Sequence, residues 1–287
     1  MQDYFKYSRL TYSKFIYIYG MPLKPSPFLV CLFILFSLQT TAQVLNMDRI
    51  TAPADSLRKW KVIVMAGTNF SSQNDIFDLN ARVDITRFLK RKHVLMGVFT
   101  NSFTSIEGKN VQNFGYFHLR YRNNDSKKIS AEYFLQSQWD DLRGMINRYL
   151  AGANLRIRIM DTKTLDIYTG IGLMYEQEKW NYDGVASNKI PLFHPAFIYT
   201  NEIKINQYLK ISAKLFKTTD LTFTNFIQTR PDKNFTSPRI ADFLQWNIPV
   251  SKRFSINFNF DSIYDAAPVV PIRYFYYNYS TGFTLFI

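Results

Sequence analysis

The chain has 287 residues and a formal net charge of +13, with 35 Lys and Arg against 22 Asp and Glu. Its single cysteine, Cys31, excludes a framework of disulfides. The apolar residues beyond the N-terminal region are dispersed, so no later segment predicts a membrane-spanning helix, and nothing in the sequence indicates a second domain or a low-complexity linker.

The first 42 residues predict export. An apolar run at residues 28–38 follows Lys24 and leads into small residues up to Ala42, which is the order of a secretory signal cleaved between Ala42 and Gln43. The run is too short to cross a bilayer, since a spanning helix needs about 20 apolar residues. The predicted organisation is an N-terminal extension plus signal peptide at 1–42 with Met21 as the start, a periplasmic leader at 43–60 and a folded domain at 61–287.

From residue 61 onward the chain predicts twelve β-strands. Apolar and polar residues alternate with a period of two, so each strand has one apolar side and one polar side. The predicted strands are 61–70, 76–89, 94–105, 111–122, 128–140, 145–160, 165–178, 192–204, 209–228, 237–250, 254–264 and 271–287.

The predicted connections alternate in length. Short ones are expected at 91–93, 123–127, 161–164, 206–208 and 251–253, and the longer ones include 179–191, 229–236 and 265–270. Short turns at one end and longer loops at the other are typical of outer-membrane β-barrels.

The last predicted strand is the most aromatic one. Its apolar row includes Tyr279, Phe283, Leu285 and Ile287, while the alternate row is small or polar. We predict that these four residues serve barrel closure and assembly, because the last strand of a barrel pairs with the first. A half-buried strand of a soluble sandwich is the alternative. With the signal segment and the loop pattern, the strand favours an all-β, transmembrane, antiparallel up-and-down β-barrel of about twelve strands in the bacterial outer membrane.

Charged residues occupy the polar rows of the fifth, sixth and seventh predicted strands. Carboxylates, guanidiniums and carboxylates follow one another on neighbouring strands, which allows ion pairs inside a barrel. A structural charge ladder and a solute-selecting constriction are both open interpretations. The residues predicted to line the lumen are Glu132, Gln136, Gln138, Asp140, Arg148, Arg156, Arg158, Asp166, Glu176 and Glu178.

The same region resembles the DUF481 family of outer-membrane β-barrels, often described as salt-stress-induced outer-membrane proteins. That family shows a hairpin with glutamine and aspartate, an Arg followed by a short hydrophobic step and Gly, and a Gly-x-Gly strand ending in Tyr-Glu. The matching residues are Gln136, Asp140, Arg148, Gly152, Gly170, Gly172, Tyr175 and Glu176. The resemblance covers most of residues 57–287. It implies a non-enzymatic barrel that acts as a passive narrow channel or as an envelope-stress structural protein.

Two histidines, His118 and His194, are predicted on the lumen side of their strands. An outer-membrane lipid-acting hydrolase on a twelve-stranded barrel is the enzymatic alternative, although its nucleophile and base would need to lie at the lipid-facing surface. The histidine spacing does not suit a metal site, and the sequence has no hydrolase-elbow, P-loop or zinc-protease motif. We expect no catalytic residue, no metal and no cofactor.

The expected partners follow from export and charge. A basic outer-membrane barrel meets lipids with anionic head groups, the barrel-assembly machinery and small solutes, and we do not expect nucleic acid as a partner. A soluble exported β-barrel that binds a ligand or a partner is the third alternative.

Overall fold

A computed structural model of the chain describes residues 59–285 except 73–74, 124–126, 217–218, 234 and 252–253. The predicted signal cleavage at Ala42 and Gln43 and the terminal Ile287 lie outside the described residues. No helix among the described residues is long and apolar enough to cross a membrane.

The described part of the chain forms twelve β-strands and four single 3-10 turns. The strands are β1 (Trp60–Ser71), β2 (Ile76–Phe88), β3 (Val94–Ile106), β4 (Lys109–Arg122), β5 (Ile129–Asp140), β6 (Met145–Asp161), β7 (Leu165–Trp180), β8 (Ile198–Leu215), β9 (Thr219–Thr229), β10 (Arg239–Pro249), β11 (Phe254–Asp265) and β12 (Phe275–Leu285). The 3-10 turns are Lys90–Lys92, Asp141–Arg143, Ser187–Lys189 and Pro231–Lys233.

All twelve strands belong to one sheet, in which each strand pairs with the next one along the chain. The pairings are antiparallel, from β1 with β2 through to β11 with β12. This confirms the all-β, antiparallel, up-and-down prediction. Among the described residues β1 and β12 are the two edges of the sheet and do not pair with each other.

The predicted turn at 206–208 is wrong, because β8 runs without a break through these residues. Asn206 and Gln207 indicated a turn through their polarity. In the structure they pair with Gly172 and Ile171 of β7, so their backbone groups belong to the sheet. β8 ends at Leu215 and β9 begins at Thr219 instead, and residues 192–197, predicted as strand, belong to a loop.

The connections differ between the two ends of the sheet. The short connections that follow β2, β4, β6, β8 and β10 are at one end, which we call the short-turn end. The other end carries three long loops at 181–197, 230–238 and 266–274, and we call it the long-loop end. The connections at 72–75, 107–108 and 141–144 are also at this end but are short.

The sheet is strongly curved. Neighbouring strands are about 4.8 Å apart, so β7 and β10 would be about 14 Å apart in a flat sheet. Arg239 of β10 nevertheless places Nη1 at 3.2 Å from Oε2 of Glu176 on β7. At the long-loop end the Arg143 guanidinium lies 4.7 Å from the ring centroid of Tyr276 on β12. These contacts define a concave face and an opposite convex face.

The two faces have the reverse of the usual polarity. On β7 the concave residues Glu176 and Glu178 are buried, together with Met174. The convex residues Leu173 and Tyr175, which alternate with them, are 59% and 47% exposed. In a water-soluble sheet the apolar row is the buried one. The exposed apolar row and the buried charged row of β7 are therefore the main clue to what surrounds this domain.

Candidate functional site: the charged concave face

Six charged side chains meet on the concave face near the long-loop end, and we call them the central network. Three are cations and three are carboxylates, so their formal charges balance, and all six side chains are buried. The members are Arg148 on β6, Glu176 and Glu178 on β7, Lys204 on β8, Arg239 on β10 and Asp265 on β11.

Glu176 is the centre of this network and is fully buried. Its carboxylate accepts hydrogen bonds from Arg148 and from Lys204, and Arg239 Nη1 lies at 3.2 Å from Oε2. A buried carboxylate is costly unless it is paired and hydrogen-bonded. Here three cations from three different strands supply that compensation.

The two arginines of the network also pair with its other carboxylates: Glu178 pairs with both, and Asp265 pairs with Arg239. Oε1 of Glu178 lies 3.0 Å from Nε of Arg148 and 3.0 Å from Nη1 of Arg239. The indole Nε1 of Trp180 donates to Glu178 Oε2 at 3.1 Å, and Arg239 donates to Asp265 Oδ2 at 2.8 Å. Arg239 therefore joins β7, β10 and β11 through charge-assisted bonds.

A second charged group, the lower cluster, lies towards the short-turn end. Glu132 is fully buried, and Arg122 Nε donates to its Oε1 at 2.7 Å. Arg156 Nε is 3.8 Å from the same oxygen, while the Tyr208 hydroxyl donates to Oε2 at 2.8 Å. The guanidinium of Arg156 also lies 3.6 Å from the ring centroid of Tyr168, a cation–π geometry that restricts its position.

An apolar layer separates the two charged groups. Phe134, Leu150 and Met174 are buried against one another on the concave side of β5, β6 and β7. In the register of the strands Phe134 and Met174 lie between the central network and Glu132, while Leu150 pairs directly with Glu176. Charged and apolar side chains therefore alternate along the inside of the curved sheet.

The long-loop end is covered by a second apolar group, which we call the apolar cap. It comprises the buried residues Met145, Trp180, Val185, Val270 and Ile272. Two of the long loops contribute to it, 181–197 through Val185 and 266–274 through Val270 and Ile272. The Arg143 guanidinium lies 5.6 Å from the Trp180 ring centroid. The cap thus lies directly above the central network, to which Trp180 donates its hydrogen bond.

A directional hydrogen-bond chain joins His118 to the central network. Arg148 is a pure donor and approaches Gln138 Oε1 at 3.5 Å, so the Gln138 oxygen faces Arg148. Gln136 Nε2 donates to the same oxygen at 3.1 Å, which turns Gln136 Oε1 towards His118 Nδ1 at 3.0 Å. The neutral imidazole that fits this chain carries its proton on Nδ1.

The structure places the predicted lumen residues on one face, but not in one group. Arg148, Glu176 and Glu178 meet in the central network with Gln136 and Gln138 beside it, and Glu132 and Arg156 meet in the lower cluster. Asp140 is buried next to the turn at 141–144. Arg158 lies at the short-turn end, where it pairs with the exposed Asp161 at 2.5 Å, and Asp166 is half-buried at that end.

Several site residues escaped the sequence analysis. Lys204 and Tyr208 were missed because the turn predicted at 206–208 divided β8, and Arg239 and Asp265 because they lie at the ends of their strands. The alternation offered a signal: Lys204, Asn206, Tyr208 and Lys210 form one continuous polar row, and all four are buried.

The two glycines of the Gly-x-Gly strand lie where neighbours come close. A Cβ at Gly170 would overlap the ring of Tyr208, and one at Gly172 would overlap the carbonyl oxygen of Ala153. Glycine is common where a strand is closely approached by backbone or by an aromatic ring. Tyr208 uses that space to reach Glu132.

The histidines do not lie together. His118 is buried on the concave face, where its ring stacks on Phe134 with centroids 5.9 Å apart. The prediction for His194 is wrong: it lies in the loop 181–197, exposed, because β8 begins only at Ile198. Its ring contacts Tyr182 with centroids 4.3 Å apart.

An ion pair between the loop 230–238 and strand β8 extends the central network towards the surface. Arg230, which follows β9, donates to Glu202 of β8 and to Asp232, and Glu202 in turn lies 3.0 Å from Lys204. The hydrogen bond from Arg230 lowers the pKa of the Asp232 carboxyl. The loop 230–238 is thereby linked electrostatically to the concave face.

No family model matches this chain, and no curated protein matches it either. Among solved structures, a NanC porin aligns with 79% of this chain and 99% of its own length, with a TM-score of 0.40 and 8% sequence identity. The DUF481 resemblance stays a prediction.

Proposed function

We propose that the chain is an integral outer-membrane β-barrel of the DUF481 type, non-enzymatic, with an interior held closed by its own side chains. One observation carries the proposal, the reversed polarity of the sheet. Its convex face exposes large apolar side chains on many strands, while its concave face buries ion pairs. A lipid bilayer solvates such a convex face, whereas water does not.

The edges of the sheet support closure in a bilayer. An open edge exposes unpaired backbone groups, which lipid cannot satisfy. Val62 and Val64 of β1 are well exposed on the convex side, and the convex row of β12 is aromatic. We propose that β1 and β12 pair with each other in the membrane.

The interior supports a structural role rather than an open pore. Going inward from the long-loop end, a solute would meet the apolar cap, the central network and then the apolar layer of Phe134, Leu150 and Met174. Barrels of about eight strands are filled by side chains, and those of sixteen leave a channel. A count of twelve strands therefore does not determine by itself whether the lumen is open. The three occupied levels favour the envelope structural protein over the passive narrow channel.

Three measurements test the proposal: detergent extraction and gel migration of the membrane fraction, and the conductance of the purified protein. The barrel should need detergent for extraction and should run faster on SDS gels before heating than after it. In planar bilayers the wild-type protein should show no steady conductance steps. Extraction without detergent would contradict the barrel, while regular conductance steps would contradict the closed interior and favour the channel.

A further inference from the structure

The longest loop, 181–197, has an apolar tip that the proposed barrel does not use. Leu192 and Phe193 are each 97% exposed, and Pro191 and Pro195 lie on either side of them. A single exposed apolar residue is ordinary on a protein surface, but a contiguous apolar patch indicates a surface that binds something.

The tip is held outward by anchored residues on both sides. Ile190 and Tyr182 pack against the apolar cap, and the His194 ring contacts Tyr182 with centroids 4.3 Å apart. Pro191 and Pro195 restrict the backbone further, because proline fixes φ. With Ile190 and His194 both held, Leu192 and Phe193 cannot fold back onto the domain without breaking these contacts.

The tip leads directly into the convex face of β8. Phe197, Tyr199 and Ile203 follow it in sequence, and all three are exposed. Lys179 of β7 lies beside them, with Nζ 4.1 Å from the ring centroid of Phe197 and 5.4 Å from that of Tyr199. Aromatic rings next to a lysine are typical of the boundary between lipid head groups and acyl chains.

We propose that Leu192 and Phe193 form a membrane anchor that enters this boundary in the leaflet at the long-loop end, with Lys179 beside the lipid phosphates. The anchor rests on the proposed function, since it needs the convex face to meet lipid. We choose lipid over a second copy of the chain because the tip continues the lipid-facing row. The neighbouring cation also suits anionic head groups.

Spin labelling tests the anchor on the whole barrel. In a Cys31→Ser background, nitroxide labels are attached to Phe193→Cys, Leu173→Cys or Asn188→Cys, and each protein is reconstituted into phosphatidylethanolamine–phosphatidylglycerol vesicles. Leu173, in the middle of the convex row of β7, is the lipid control. Asn188, exposed in the same loop as Phe193, is the water control. Electron paramagnetic resonance then compares collisions with oxygen, which concentrates in lipid, and with a water-soluble nickel chelate.

The labels at 193 and 173 should collide more with oxygen than with nickel, and the label at 188 should do the reverse. If 173 behaves as lipid-exposed but 193 matches 188, the anchor is wrong and the barrel stands. Nickel access at 173 would overturn the proposed function and the anchor with it. A label at 193 that is shielded from both reagents would indicate a protein contact and overturn the lipid anchor.

Discussion

At the scale of single residues, Glu176 decides how the inside of the sheet is arranged. It is fully buried, and Arg148, Lys204 and Arg239 converge on it from three strands. Replacing a whole buried ion-pair group by apolar residues is often tolerated, but removing one partner leaves buried charges without compensation. Glu176 therefore has more effect on stability than its single charge suggests.

The first prediction concerns this carboxylate. Glu176→Gln keeps the shape of the side chain but leaves three cations with one carboxylate fewer, so we expect a loss of about 3–5 kcal/mol in the free energy of unfolding. Urea unfolding of the protein in lipid vesicles measures it. Asp220→Asn, at an exposed position, is the control and should stay within about 0.5 kcal/mol of wild type. Equal losses in both variants would refute the central role of Glu176.

The second prediction concerns the Gly-x-Gly strand. A Cβ at Gly172 would overlap the Ala153 carbonyl oxygen, and backbone cannot move aside cheaply. We expect Gly172→Ala to cost about 1–3 kcal/mol, the usual range for overpacking, in the same urea assay. Gly67→Ala is the matched control, because no atom lies within 4 Å of its added Cβ. A stable Gly172→Ala protein would mean that β6 and β7 can separate locally.

At the scale of elements, β12 has a role that its edge position does not reveal. Its last three strand residues extend the ladder with β11, since Phe283, Thr284 and Leu285 pair with Ile256, Ser255 and Phe254. The convex row of β12 is aromatic and its opposite row is polar, the same reversed order as on β7.

The third prediction tests this element. Deleting residues 283–287 removes the end of the ladder and should block membrane insertion, because β12 would be too short to close the wall. Protease protection and heat-modifiable migration of the membrane fraction measure insertion. Ile287→Phe is the control and should insert as wild type does. Normal insertion of the truncated chain would mean that the last residues are not needed for closure.

The strands also show why sequence analysis succeeded for most elements and failed for β8. Where a polar turn sequence lies between two alternating segments, as in the turn predicted at 161–164, the prediction is confirmed to within one residue, since β6 ends at Asp161 and β7 begins at Leu165. The polar pair Asn206 and Gln207 looked the same locally, yet Asn206 Nδ2 donates to Asn154 Oδ1 at 3.3 Å on the concave face. Local polarity cannot distinguish a solvated turn from a strand whose polar row is paired inside.

At the scale of the whole molecule, the polarity of the two faces determines whether water or lipid solvates the sheet favourably. The convex side carries apolar residues on consecutive strands, and the concave side carries buried ion pairs, including the charge-balanced central network. A soluble domain with this distribution would expose an apolar surface far larger than is usual for a monomer.

The fourth prediction distinguishes a bilayer from water as that solvent. Leu173→Arg places a charge in the middle of the convex row, and near the bilayer midplane this should cost about 2–4 kcal/mol. Gln177→Arg is the matched control on the same row of β7, nearer the long-loop end, where the cost should be about 1 kcal/mol or less. Unfolding in lipid vesicles measures both. If Leu173→Arg is as stable as Gln177→Arg, the convex face does not meet lipid.

The strand count, the antiparallel class and the two rows of most strands follow from the amino-acid sequence alone, because a period of two is a local property of the chain. The sequence also indicated Arg148, Glu176 and Glu178 as members of a charged row. Which of these charges meet depends on the three-dimensional fold. Arg239 reaches Glu176 because the sheet curves between β7 and β10, and curvature results from the packing of many strands together rather than from the residues of any one.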